Sequence, residues 1–328
     1  MFNDLDVFYH AAQALLRGQD PYGVYGVYYP FPLFLLFVPL AALPLDIAHM
    51  VWTTLELAIF VAVVRRRALY TIFFLPVILT LMEGQIVMPM LAMFALLQRQ
   101  KHQGIAAAWL CVKPQLIGLL LPFVFWRIWQ QERKQFLWFG GIWLTLLTTS
   151  FFIQPNWVQR WVQVSGERVR TPFSPSIWGA LSFLPTPLWL LVAGALMLGL
   201  LLWAYRRADF DTLSIVNLLV NPLIVSYDLT VLTLFVKSWR VWIVLTILAW
   251  LAFGISAIDW WRGEGVTALV TLTALLWVVR EKWKQQQLLL THLSERASVS
   301  SRNAPAQSSA ATRSSANAAH TSRTNGGG

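Results

Sequence analysis

The stretch DIAHMVWTTLELAIFVAVVRRR, residues 46–67, is an apolar run closed by three consecutive arginines. A helix rises about 1.5 Å per residue, so 46–64 nearly covers the ~30 Å hydrocarbon core of a bilayer. The arginines fall where such a span must end and mark the cytoplasmic side. Further apolar segments follow at 68–82, 86–98, 104–126, 136–153, 186–204, 212–236, 239–257 and 265–280. Hydrophobic residues make up 57% of the 328 and charged residues 12%, with 18 Trp and 20 Phe, which excludes a soluble one- or two-domain protein. Trp126, Trp129, Trp157, Trp161, Trp239, Trp260 and Trp261 sit near polar or charged segments, as rings anchored at a membrane interface do. The predicted fold is all-α, a polytopic membrane bundle.

The net charge of +10 is spread in short clusters between apolar segments, which is topology signal rather than a nucleic-acid footprint. Arg65–Arg67, Arg99 with Lys101, Arg127 with Arg133 and Lys134, Arg206 with Arg207, Lys237 with Arg240, and Arg280 with Lys282 and Lys284 are assigned to the cytoplasm. The stretches around Glu83, Lys113 and Asp228, all of 154–185, and Asp259–Glu264 then face outward. This alternation requires half-crossings: 104–112 and 115–126 around Lys113, and 212–226 and 229–236 around Asp228. Pro76, Pro89, Pro114 and Pro222 point the same way, to discontinuous helices lining a cavity. Residues 30–45 are apolar, short and carry four prolines; a full span there puts Asp4 inside, whereas a re-entrant hairpin puts it outside.

Cys111 is the single cysteine, so there is no disulfide framework, and five scattered histidines offer no metal-ligand spacing. No metal and no cofactor is expected. Residues 1–30 are too polar for a signal core. From Ser294 the composition turns to Ser, Ala, Thr, Asn and Gly, so the expected organisation is a membrane domain over 1–293 and a disordered tail over 294–328. Nucleotide-loop, zinc-protease and serine-hydrolase motifs are absent.

Polar residues interrupting the apolar pattern are the remaining candidates. DLDVFYHAAQALLRGQDPY (4–22) begins with Asp4 and Asp6, either of which can cap a short amphipathic helix over 6–16, ended by Gly18 and lying in the interface plane. The plain reading of these acids is capping alone. EGQ (83–85) reads as a turn or as a polar lining. In VKPQ (112–115) a lysine among apolar residues binds phosphate or snorkels to the interface. VNPLIVSYDL (220–229) is an outward loop or a site wall. Glu56 is an intramembrane carboxylate, read by preference as a protonated group hydrogen-bonded to a neighbouring helix, and Arg160, Arg168 and Arg170 lie in the long outward loop, read by preference as solvated rather than as headgroup ligands.

Taken in order, DLDVFYHAAQALLRGQDPY, YPFPLFLLFVPLAALP, EGQ, GIAAAWLCVKPQ and NPLIVSYD make the chain resemble the family 87 glycosyltransferases over roughly residues 3–236. These are membrane enzymes of the GT-C class. The resemblance implies a polyprenyl-phosphate-sugar donor, mannose transfer to a glycolipid or glycan acceptor, and a place in the bacterial plasma membrane. It implies Asp4 as the catalytic base, with Asp6 as the close alternative, and Gln85 and Lys113 as site lining. Tyr9, Tyr227 and Asp228 join them as substrate-binding candidates. The chemistry suits such residues: a phosphate leaves readily, the acceptor hydroxyl needs one base, and one carboxylate gives inversion. Family members carry a membrane helix before the acidic block, whereas three residues precede Asp4 here, so the expectation includes a missing first helix and an inactive homologue as one alternative. A transporter or flippase is the other, and it calls for polar residues at the membrane midplane.

Overall fold

A computed structural model describes residues 3–168, 174–258 and 260–302. No strand occurs among them. The helices are α1 (Asp4–Leu16), α2 (Pro32–Ala41), α3 (Leu45–Val64), α4 (Ala68–Thr71), α5 (Leu75–Glu83), α6 (Val87–Gln98), α7 (Gln103–Leu110), α8 (Pro114–Ile117), α9 (Leu121–Gln131), α10 (Gln135–Ile153), α11 (Trp157–Arg168), α12 (Ile177–Ala180), α13 (Thr186–Arg207), α14 (Phe210–Val220), α15 (Leu232–Phe235), α16 (Trp239–Ile258) and α17 (Trp260–Arg302). Short 3-10 turns lie at Pro21–Gly23, Arg65–Arg67 and Ser226–Val231. Among the described residues, four helical stretches are long and apolar enough to cross a membrane: Leu45–Thr71, Gln135–Ile153, Thr186–Arg207 and Trp239–Ile258. The chain is an all-α polytopic membrane protein.

The chain divides into two units, Met1–Val279 and Arg280–Gly328. That boundary precedes the one expected at Ser294, and helix α17 continues through Ser294 to Arg302. Residues 303–328 of the expected tail lie outside the described residues, as do Arg170 and Asp259.

Between the full-length spans the helices are short. α6 has 12 residues and α7 has 8, so they extend only about 18 and 12 Å, half a bilayer or less. The expected break at Lys113 divides α7 from α8, and the break before Asp228 divides α14 from the Ser226–Val231 turn. A break inside an apolar bundle exposes backbone groups that lipid cannot satisfy. Side chains satisfy them here. Asn217 and Asn221 donate to the Leu116 and Gln115 carbonyls, and Tyr205 donates to Leu119. At the second break, Trp178 donates to the Val220 carbonyl, Ser174 to Ile224, and the Val225 amide donates to Asp228.

The N-terminal segment folds as a hairpin. α2 has ten residues, about 15 Å, which is too short to span. Phe8 of α1 packs on Phe37 of α2 at 4.8 Å between ring centroids, and the Tyr9 hydroxyl donates to the Leu43 carbonyl at 2.7 Å. Asp6 meets His49 in the second turn of α3. This is the re-entrant alternative: α1 lies beside the start of α3, and Arg65–Arg67 close that helix at its other end. The cap of α1 is Asn3, with Asp6 as its reciprocal partner, rather than Asp4 or Asp6 itself. Leu5, Val7, Phe8, Tyr9, Ala11, Ala12 and Ala14 of this helix are buried within the protein.

Along α3 the buried stripe is Ala48, Trp52, Glu56, Phe60 and Val64, one residue per turn. Glu56 is fully buried, and neither carboxyl oxygen has a hydrogen-bond partner. A buried polar group left unsatisfied costs about 1–3 kcal/mol. Replacing Glu56 by Leu is therefore expected to raise the thermal midpoint of the detergent-purified protein; a fall would show that the carboxyl is held by a bond of its own. Gly84 is the opposite case. Its φ is +62°, and a Cβ there would stand 2.6 Å from the Leu5 Cβ. Gly84→Ala should lower the midpoint by more than the ~1 kcal/mol that left-handed strain alone costs. An unchanged midpoint would mean that α1 does not seat on this turn.

Candidate functional site

The EGQ turn forms because Gly84 adopts the left-handed conformation that ends α5, with its amide and that of Gln85 both turning back to the Thr80 carbonyl. Trp52 of α3 donates its indole N–H to the Gly84 carbonyl at 3.0 Å. The turn thus lies seven residues into a 20-residue helix, about 10 Å below its start. Gln85 and Lys113 stand roughly 15–18 Å from the basic ends of α6 and α7. Both side chains are fully enclosed by the surrounding helices.

Five of the seven predicted residues converge there. The Tyr227 hydroxyl donates to the Asp4 carboxylate at 3.4 Å. The Tyr29 hydroxyl lies 3.3 Å from that of Tyr227 and 3.5 Å from the Gln85 amide oxygen. Beneath the Tyr227 ring, 4.6 Å from its centroid, sits the Lys113 ammonium. It is ion-paired with Asp228 at 2.5 Å, and both side chains are fully buried. The other Asp228 oxygen accepts the Val225 amide, and Thr80 fixes the same turn through Thr230 and the Tyr227 carbonyl.

Asp6 and Tyr9 are placed differently. One Asp6 oxygen is 2.8 Å from His49 Nε2 and the other accepts the Asn3 amide, so this carboxylate is spent on holding α1. Tyr9 accepts from Gln13 and donates to Leu43, which makes it a latch between α1 and the start of α3. Lys113 is committed to Asp228 and to the Tyr227 ring; it does not snorkel. Gln85 keeps one free group, since its buried amide nitrogen has no partner.

Tyr29, Thr80, His49 and Trp52 escaped the sequence reading. Tyr29 sits in a run of tyrosines and glycines (Tyr22, Tyr25, Tyr28, Tyr29) with nothing local to separate one from another. Its neighbours fix it in place: Tyr22 donates to the Tyr29 carbonyl, and the Tyr28 carbonyl accepts from Trp161 and Ser165 of α11. Burial, reinforced by the charge of Asp20, pushes the Tyr22 phenol well above its ordinary range, so it remains a donor. Arg160 grips Asp20 through Nε and Nη2, an ion pair rather than the solvated side chain expected of it. On the other side of Trp52 an apolar groove of about 260 Å³ runs between α2, α3, α6 and α7, lined by Leu36, Ile86, Pro89, Met90, Met93 and Trp109.

A recessed carboxylate, a buried cation and an open amide beside an apolar groove define a membrane protein with a polar site enclosed between its helices. The model of glycosyltransferase family 87 matches residues 27–226, and the chain belongs to that family. The protein is thus a membrane glycosyltransferase by family. The match takes in Tyr29, Gln85 and Lys113 and begins after the Asp4 block. No curated protein and no solved structure matches the chain.

The ion pair can be tested directly. Lys113→Met leaves Asp228 buried without its counter-charge, which costs about 3–5 kcal/mol. Adding Asp228→Asn, which keeps an acceptor for the Val225 amide, should recover most of that loss in thermal unfolding. Equal destabilisation by the single and double variants would show that the two groups do not share one charge balance.

Proposed function

We propose that the protein transfers a hexose, mannose by family precedent, from a polyprenyl-phosphate donor to the hydroxyl of a glycolipid or glycan acceptor. The transfer takes place on the extracytoplasmic side of the plasma membrane, in a GT-C-type bundle. Asp4 is the general base. The observation that carries this is the hydrogen-bonded line from Asp4 through Tyr227 and Tyr29 to Gln85, closed below by the Lys113–Asp228 pair. Of the two acids at the head of α1, Asp4 is the one turned to that line.

In the reaction, the acceptor oxygen attacks the anomeric carbon as its proton passes to Asp4, and the bond to the phosphate oxygen breaks with its electron pair leaving on phosphate. A single displacement inverts the anomeric centre. The free amide nitrogen of Gln85 offers the phosphate or a sugar hydroxyl a hydrogen bond already desolvated by burial. Lys113 acts first as a positioning cation that fixes Tyr227; it meets the phosphate directly only by exchanging Asp228 for phosphate oxygens. The lipid chain lies along the apolar groove past Trp52.

With labelled polyprenyl-phosphate-mannose in membranes, Asp4→Asn should lower transfer by about 100-fold or more, the usual weight of a general base. Asp6→Asn should retain transfer but melt at a lower temperature. Full activity of Asp4→Asn removes the base, and consumption of no labelled donor by the wild type removes the donor assignment.

A further inference from the structure

Tyr29 has one hydroxyl proton and two acceptors within reach, the Gln85 amide oxygen at 3.5 Å and the Tyr227 hydroxyl at 3.3 Å. Tyr227 likewise stands between Tyr29 and the Asp4 carboxylate. Among these bonds two rotating protons serve three acceptors, and they can be arranged in two ways. In one, Tyr29 donates to Tyr227 and Tyr227 donates to Asp4. In the other, Tyr227 donates to Tyr29 and Tyr29 donates to Gln85. No heavy atom moves between them, because both phenols are nearly sealed. Tyr29 is held by the Phe8 ring at 4.9 Å and by the contacts to its own and Tyr28's carbonyls.

We infer that Tyr29 is a positioning residue for sugar transfer, the far half of a two-phenol hydrogen-bond rotor that follows the protonation of Asp4. The inference rests on the reading of Asp4 as base. While Asp4 is ionised, the first arrangement stabilises its charge, since a bond donated to a carboxylate favours the charged form. When Asp4 takes the acceptor's proton, Tyr227 turns to Tyr29 and Tyr29 to Gln85, and neither phenol gains or loses a proton. Among the other ionisable groups on the elements packed around Asp4, His10 stands edge-on to Tyr9 and Arg17 donates to Gln13, both on its own helix. Asp6 of its own helix is held by His49 of α3. Asp46 opens α3 and Glu83 ends α5. Lys113 lies beyond the Tyr227 ring and is neutralised by Asp228.

The test is the pH dependence of transfer from labelled polyprenyl-phosphate-mannose by the full chain, in wild type, Tyr29→Phe, Tyr227→Phe and Asp4→Asn. Tyr29→Phe keeps the ring and its packing on Phe8. It is expected to slow transfer about tenfold and to move the acidic limb of the profile upward by about 0.5–1 pH unit, the equivalent of one net hydrogen bond. Tyr227→Phe, which removes the direct donor, should move the limb further, and Tyr25→Phe, an exposed tyrosine, should change neither value. A slower Tyr29→Phe with an unmoved limb makes Tyr29 merely structural and overturns the inference, as does a wild-type rate. If Tyr227→Phe moves the limb and Tyr29→Phe does not, the rotor ends at Tyr227 and Tyr29 has no part. Full activity of Asp4→Asn is a separate failure, of the base itself.

Discussion

A buried lysine facing a buried aspartate sets the terms for the rest of this fold. Lys113 and Asp228 each stand at a break in a helix, 115 residues apart in the chain, with no exposure to solvent. Neither charge is tolerable alone in an apolar bundle, where desolvation costs several kcal/mol per ion. The two breaks must therefore meet, and everything that lets them meet is specified: Pro114 starts the short helix after Lys113, and Asp228 caps its own turn with the oxygen that Lys113 does not use. Such a pair is weak evidence for stability as such. What it supplies is register between two half-crossings that lipid-facing packing would leave free to slide.

Broken helices inside a membrane also carry a backbone debt, and this protein settles it with amides and indoles. Asn217, Asn221, Tyr205, Trp178 and Trp52 each donate to a carbonyl freed at a break. Two of them, Asn217 and Asn221, project from one helix and its end onto the segment that follows Lys113. The same residues that interrupt the hydropathy pattern thus hold the interruption together. This is why polar residues in the apolar segments divide into two kinds: those that repair backbone, and the few whose remaining valence faces the site.

Much of this was legible from residue order. The charge clusters and prolines required half-crossings at 104–126 and 212–236, and the helices break at those places. Burial was not legible: hydropathy treats a polar residue between two apolar segments as a loop end, whereas Gln85 and Lys113 are fully enclosed by the helices around them. Nor was Tyr29 legible, since its role depends on partners 56 and 198 residues away. Asp4 was placed before Asp6 on the family resemblance alone; that His49 holds Asp6 appears only in the fold.

The contrast between those two acids lies in what each one holds. Adjacent turns of α1 divide the work: Asn3 and Asp6 close the capping box, His49 ties Asp6 to α3, and Leu5 between them seats on the Gly84 turn. Asp4 contributes to none of these contacts and inherits its position from all of them. A carboxylate that also held the helix would change the helix when it changed its charge. Under the proposed reading, that separation lets Asp4 change its charge without breaking the capping box or the tie of α1 to α3.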